Sequence, residues 1–148
     1  MTTTIRPAKD QDAAALAALS GQLGYPSSPA DILSRLQQIR PLPDHAILVA
    51  ERDGAVSGWL HVQTRRSLET PEYGEITALV VDERLRGQGV GAELVAAAAT
   101  WASRQGLPVL RVRSNVVRER THSFYEKLGF SLSKSQKVFA KDLPRGNK

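Results

Sequence analysis

Residues 73–91 read Tyr73-Gly74-Glu75-Ile76-Thr77-Ala78-Leu79-Val80-Val81-Asp82-Glu83-Arg84-Leu85-Arg86-Gly87-Gln88-Gly89-Val90-Gly91, and the order of textures along this stretch decides the fold. Tyr73 to Val81 is the most strand-like run of the chain, a charged turn from Asp82 to Arg86 follows, and alternating glycines then open an alanine-rich run. In that run, Val90 to Arg104, the residues Leu94, Val95, Ala98, Trp101 and Ala102 form one stripe, which predicts a helix ended by Gly106 and Pro108. A strand leading through glycines into a helix start suits an anion. Missing Cβ atoms at positions 87, 89 and 91 let backbone N–H groups approach it, the helix start adds about half a positive charge, and Arg86 adds a full one. No Gly-Lys-Ser/Thr follows, so this is not a Walker loop. Gly87-x-Gly89-x-x-Ala92 fits the dinucleotide pattern, but five charged-turn residues separate strand from glycines and only 57 residues follow Gly91, too few for further βαβ units.

Working outward, Ile5-Arg6-Pro7 is an extended entry, and Asp10 or Asp12 can cap a helix carrying Ala13, Leu16, Ala17 and Leu19. Ser28 caps a second helix with Pro29 at its first position and Ile32, Leu33, Leu36 and Ile39 on one face. Ala46–Ala50 and Ala55–Val62 form a hairpin about Arg52-Asp53-Gly54, and residues 64–72 are a polar loop. Toward the C-terminus, Val109 to Arg113 is a strand and Glu119 to Leu128 a helix ended by Gly129. Phe130-Ser131-Leu132 with Val138-Phe139-Ala140 is expected to form a last hairpin before a frayed tail, residues 144–148. The expectation is a single α/β domain over residues 1–148, with a mixed, mostly antiparallel central sheet and helices on both faces.

Composition narrows the chemistry. The 148 residues include no cysteine, which excludes disulfides, thiolate nucleophiles and thiolate-held metals, and nothing requires an oxidising compartment. Met1 to Lys9 lacks the apolar stretch of a signal peptide and no segment has the ~18 apolar residues of a membrane span, so the expected location is cytoplasmic, without membrane partners. The net charge of +5 is unevenly divided: residues 1–103 hold 9 Lys/Arg against 12 Asp/Glu, residues 104–148 hold 11 against 3. No aromatic-interleaved basic motif points to nucleic acid, and a small phosphate-bearing ligand suits the basic third equally well.

Arg86-x-x-Gly89-x-Gly91 after a strand, with Phe124-Tyr125-Glu126-Lys127-Leu128-Gly129-Phe130 some 33 residues later, resembles the GNAT superfamily of acetyl-CoA-dependent N-acetyltransferases. The likeness covers nearly the whole chain: Ile5-Arg6-Pro7-Ala8 is similar to the family's first strand and Gly74-Glu75-Ile76-x-x-Leu79-Val80-Val81 to its central one. Arg113-Ser114-Asn115-Val116 and Phe139-Ala140-Lys141-Asp142-Leu143 resemble the small-amine enzymes, those acetylating aminoglycosides and aminoalkylphosphonates among them. The resemblance implies acetyl-CoA as cosubstrate, direct attack by a primary amine in a ternary complex, no metal, and a homodimer as a family-level expectation. It further implies a splayed central strand pair. Arg86, Gly87, Gln88, Gly89, Val90 and Gly91 would hold the coenzyme A pyrophosphate, backbone groups of Leu79, Val80 and Val81 the pantetheine arm, and an N–H near Val81 the oxyanion. Asn115 suits a pantetheine hydrogen bond or a simple helix cap.

An amine with a pKa near 10 is almost wholly protonated at pH 7, so a base helps. Glu75 lies six residues before Val81, hence on the same face of a regular strand and roughly 20 Å along it; unless the strand bulges it acts through water or binds the acceptor. Tyr125 is suited to protonate the leaving thiolate, against an ordinary packed-aromatic role. His45, His61 and His122 share no helical face and make no metal site, though His61, alternating with Trp59, could line the acceptor pocket. Glu69 and Glu72 favour a cationic acceptor, Arg65 and Arg66 one bearing a phosphonate or carboxylate. The rival class is a non-catalytic module binding acyl-CoA or nucleic acid.

Overall fold

The computed structural model describes residues 2–113 and 119–145, and the chain divides into two units, residues 1–113 and 114–148. In the first, β1 (Thr3–Pro7), α1 (Ala13–Gln22), α2 (Pro29–Ile39), β2 (His45–Arg52), β3 (Ala55–Arg65), β4 (Tyr73–Val81), α3 (Val90–Arg104) and β5 (Leu110–Val112) follow in order. The sheet runs β1-β2-β3-β4-β5, antiparallel through β4 and parallel between β4 and β5. No helix is long and apolar enough to cross a membrane among the described residues.

Local chemistry explains the elements. Asp53 at φ 51° and Gly54 at φ 78° make the two-residue turn that matches strand twist, and it joins the paired Arg52 and Ala55. Ser28 Oγ accepts from the Asp31 N–H at 3.0 Å, with Pro29 at the first helical position of α2. Asp12 departs from the expected cap. Its carboxylate turns back to accept from the Lys9 N–H at 2.7 Å and from Arg6 at 2.8 and 3.0 Å, because Arg6 also binds Glu51 on β2 and offers a charged partner.

Period-2 alternation divides the sheet into two faces. On one, Leu60, Val62 and Ile76 are fully buried under α3: a Cβ added at Gly58 would lie 3.2 Å from Leu94 Cδ1, and one at Gly74 3.2 Å from Ala102 Cβ. On the other, Val49 packs with Ala8, Leu16 of α1 and Leu36 of α2, joined by Ile32, Ile47 and Trp59. Helices therefore cover both faces. The ladder between β3 and β4 has one irregularity: His61 faces Ala78 but Val62 faces Ile76, so Thr77 is an unopposed bulge residue.

The second unit holds α4 (Glu119–Lys127). Gly129 at φ 94° closes it, with the Phe130 N–H donating to the Tyr125 carbonyl at 3.1 Å and the Gly129 N–H to that of Glu126 at 3.1 Å, the paired bonds of a Schellman end. The hairpin expected from Phe130–Leu132 and Val138–Ala140 is absent: residues 130–145 form no strand, and Val138 and Phe139 are 81% and 90% exposed. Each run is three residues long and separated by Ser133-Lys134-Ser135-Gln136-Lys137, too little apolar area to stabilise a two-stranded ribbon by itself. Smaller differences lie at boundaries: β3 runs to Arg65, β5 covers only Leu110–Val112, and α4 stops at Lys127.

Candidate functional site

Past β4 a single 3-10 turn, Glu83–Leu85, leads to the glycines. Gly87 and Gly89 sit at φ 82° and 88°, and a Cβ added at either would meet nothing within 4 Å, so the surface over this backbone is open. The first bond of α3 runs from the Glu93 N–H to the Gly89 carbonyl at 3.1 Å, which leaves the N–H groups of Val90, Gly91 and Ala92 without acceptors in the helix. Arg86 is exposed, with no ion-pair partner among the described residues. Donors, a helix start and a cation thus meet over open space.

Three contacts that the sequence did not disclose hold this turn. Asp82 is buried, donates its N–H to the Ser57 carbonyl at 2.9 Å and accepts from Arg84 Nη2 at 2.8 Å; these hydrogen bonds from Arg84 hold its carboxyl down at about 2. Gln22 of α1 accepts from the Glu83 N–H at 2.9 Å. Arg52 of the hairpin donates to both the side-chain oxygen and the carbonyl of Gln88, at 2.8 and 3.0 Å. The Gln88 N–H itself points to the Leu85 carbonyl at 3.3 Å. The partners come from 61 and 36 residues away in sequence, and no local pattern announces them.

Among the described residues β5 pairs with β4 only from Gly74 to Ile76. The Asp82 N–H points to β3, and so does the Val80 carbonyl, 2.9 Å from a Cβ built at Gly58. By alternation the backbone N–H and C=O of Leu79 and Val81 point away from β3, where they have no ladder partner among the described residues. Val80 is buried and turns its own backbone toward β3.

The bulge at Thr77 overturns one expectation. Glu75 shares its face with Ala78 and Val80, and with Trp59, His61 and Gln63 of β3, whereas Val81 lies on the α3 face; one extra residue inverts the parity. Glu75 is 4% exposed. Arg113 Nε donates to its Oε1 at 2.8 Å, a bond that raises the arginine further, and Arg65 Nε stands 3.8 Å from Oε2. Arg111, beside Glu75 in register, places its guanidinium 4.2 Å over the Tyr73 ring. Arg66 is otherwise engaged, with Glu72 at 2.9 Å and Asp44 at 3.3 Å.

His45 and His61, on separate strands, meet at 2.9 Å between ring nitrogens; burial, then the charge of His45, pushes His61 down to about 4. Period-2 register was the signal that could have joined them, since His61 faces Ile47, two residues from His45. No group of three His, Cys, Asp or Glu side chains that could hold a metal occurs among the described residues. Tyr125 is 8% exposed between Phe124 and Phe130, both edge-on at 5.1 and 5.6 Å, and burial pushes its phenol up to about 12. Asn115 lies outside the described residues.

The acetyltransferase (GNAT) family model matches residues 14–130. The chain belongs to the GNAT family. Its likeness to the aminoalkylphosphonate N-acetyltransferase of Salmonella typhimurium is 33% identity over 86 residues, 57% of this chain and 56% of that one, so the chain spans about half the length of this curated relative. Glucosamine-6-phosphate N-acetyltransferase from Arabidopsis thaliana is 25% identical with a TM-score of 0.81, over 96% of this chain and all of that one. An aminoglycoside N-acetyltransferase solved with coenzyme A shares the GNAT fold at a TM-score of 0.86 and 18% identity, over 96% of each chain.

Proposed function

We propose that this GNAT chain transfers the acetyl group of acetyl-CoA to a primary amine of a small molecule by direct attack in a ternary complex. The observation that supports the reading is a run of backbone groups: Leu79 and Val81 turn theirs away from β3, without a ladder partner among the described residues, and the same strand runs on into the open turn and the N–H groups of Val90 and Gly91 that have no acceptor in α3. An amide-bearing arm suits this strand edge and a pyrophosphate the turn, with Arg86, Gly87 and Gly89 around it and Gln88 acting as the clamp to Arg52.

In the reaction the amine nitrogen forms a C–N bond to the thioester carbonyl carbon and the carbonyl π pair moves to oxygen, where the Val81 N–H stabilises it. The C–S bond then breaks and sulfur leaves with its electron pair. Nitrogen loses one proton, which water carries to the departing sulfur, while Glu75, held by Arg113 at 2.8 Å on the face opposite Val81, takes no direct part. Tyr125 serves the leaving sulfur as a hydrogen-bond donor. With its phenol at about 12, it is a weaker acid than a thiol near 8.5, so the proton that finally resides on sulfur originates from nitrogen.

Thermal unfolding with acetyl-CoA, followed by thiol release with an amine panel, tests the reading. Saturation at 100 times Kd should add about 2.7 kcal/mol to stability. Gly89→Val, a branched residue forced to φ 88°, should strain the turn and remove that gain although no neighbour obstructs its Cβ. Absence of both a shift and thiol release at millimolar acetyl-CoA would refute the assignment.

A further inference from the structure

Arg52, at the end of β2, spends each nitrogen of its guanidinium on a neutral acceptor. Nε donates to Thr3 Oγ1 at 2.6 Å, Nη1 to the Gln88 side-chain oxygen at 2.8 Å and Nη2 to the Gln88 carbonyl at 3.0 Å. Such a fork is matched to a carboxylate or phosphate, and Arg6, Arg40, Arg66, Arg84 and Arg113 each meet a carboxylate. Arg52 has no carboxylate partner among the described residues, so its charge stays uncompensated. The cations of the glycine turn therefore differ in kind. Asp82 neutralises Arg84 at 2.8 Å, whereas Arg86 and Arg52 keep their charge.

The bond to the Gln88 carbonyl also sets a direction. In a trans peptide, as all the described ones are, C=O and N–H point opposite ways, so drawing the Gln88 carbonyl toward β2 turns the Gly89 N–H away from it. That N–H has no acceptor among the described residues, and a Cβ built at Gly89 meets nothing within 4 Å. It adds one more donor to those of Val90, Gly91 and Ala92 at the start of α3. Without Arg52 this peptide could turn over, because Gly89, at φ 88°, takes either sign of φ at little cost. The Gln88 N–H offers weak resistance, its bond to the Leu85 carbonyl being 3.3 Å long.

We propose that Arg52 is a positioning residue of the cosubstrate site: it aims the Gly89 N–H at the diphosphate of the coenzyme and brings a second uncompensated cation to the turn that holds Arg86. The proposal rests on the acetyl-transfer reading and adds a residue to its cosubstrate site. The experiment measures kcat and KM for acetyl-CoA and for S-acetylpantetheine, the same thioester arm without phosphate, beside the thermal shift produced by coenzyme A. Arg52→Gln should raise KM for acetyl-CoA about tenfold, the scale of an aligned donor to a charged group, and lower the preference for acetyl-CoA over S-acetylpantetheine by the same factor. Arg52→Lys keeps the charge but not the fork and should recover part of that preference. Arg66→Gln, whose charge is spent on Glu72 and Asp44, should not move it. An Arg52→Gln variant that keeps the parent's preference overturns the proposal, whether both KM values rise together, as a purely structural tie would make them, or neither does. A parent that shows no thermal shift and no thiol release overturns the acetyl-transfer reading and this proposal with it. A shift that depends on Arg52, without thiol release, overturns acetyl transfer and leaves the role of Arg52 standing.

Discussion

Tyr125 illustrates how one hydroxyl can be separated from the ring that carries it. The ring is fixed by edge-on contacts to Phe124 and Phe130, which phenylalanine would keep, while the hydroxyl is a buried donor whose proton is held to about pH 12. Tyr125→Phe should therefore lower kcat about 10²-fold, the scale for deleting one donor to developing charge, with acetyl-CoA affinity unchanged. Steady-state kinetics beside a binding titration separates the two quantities; a variant with full kcat would return Tyr125 to a packing role. Glu75 teaches a related lesson. Its identity was legible in the sequence, but its partners were not, since Arg113 and Arg65 reach it from 38 residues later and 10 residues earlier.

At the scale of elements, β3 and β4 meet α3 so closely that a single methyl group matters. A Cβ at Gly58 would lie 2.9 Å from the Val80 carbonyl oxygen and 3.2 Å from Leu94 Cδ1, and the first of these neighbours is backbone that cannot swing aside. Gly58→Ala should cost about 1–3 kcal/mol, the range for overpacking, measured as a lower urea midpoint at unchanged slope. Because the strain falls on the strand whose far edge we propose as the cosubstrate site, its acetyl-CoA affinity should fall as well. Stability equal to that of the parent would show that β3 and β4 can part more easily than their register implies. The bulge at Thr77 acts at this scale too: without it Glu75 would lie on the α3 face, away from Arg113 and the β3 residues it now joins.

For the whole molecule, three depressed groups set the acid limb of stability. His61 is neutral in the fold down to about pH 4 but titrates near 6.5 when unfolded, so the unfolded chain takes up its proton first and stability falls as pH drops from 6.5 to 4. Asp82, held at about 2 by Arg84, and Asp12, lowered by Arg6, have folded values below their unfolded ones; their contribution is present above about pH 4 and is lost as pH falls through the folded values, about 2 for Asp82. At the alkaline end Tyr125 ionises first in the unfolded chain, so stability is lost between about pH 10 and 12. Urea unfolding across pH should show His61→Gln flattening the limb from 6.5 to 4 and Asp82→Asn flattening the lower one. A His61→Gln profile parallel to the parent's would mean that His61 titrates alike in both states.

What the sequence determined by itself is what local chemistry controls. The strand-like run Tyr73 to Val81 marked β4, the alanine-rich stripe marked α3, Ser28-Pro29 capped α2, Asp53-Gly54 closed the hairpin, and Gly129 ended α4, because each depends on the φ, ψ and side-chain preferences of neighbours. The glycines before α3 could be read as an anion turn for the same reason. Tertiary structure alone decided the rest. A bulge needs a partner strand to define it, so the parity that separates Glu75 from Val81 is invisible along the chain. Ion pairing is a competition among distant charges, so only the fold could spend Arg66 on Glu72 and leave Arg65 with Glu75. The apolar runs 130–132 and 138–140 failed as strands because alternation promises a face but does not supply the surface against which to bury it.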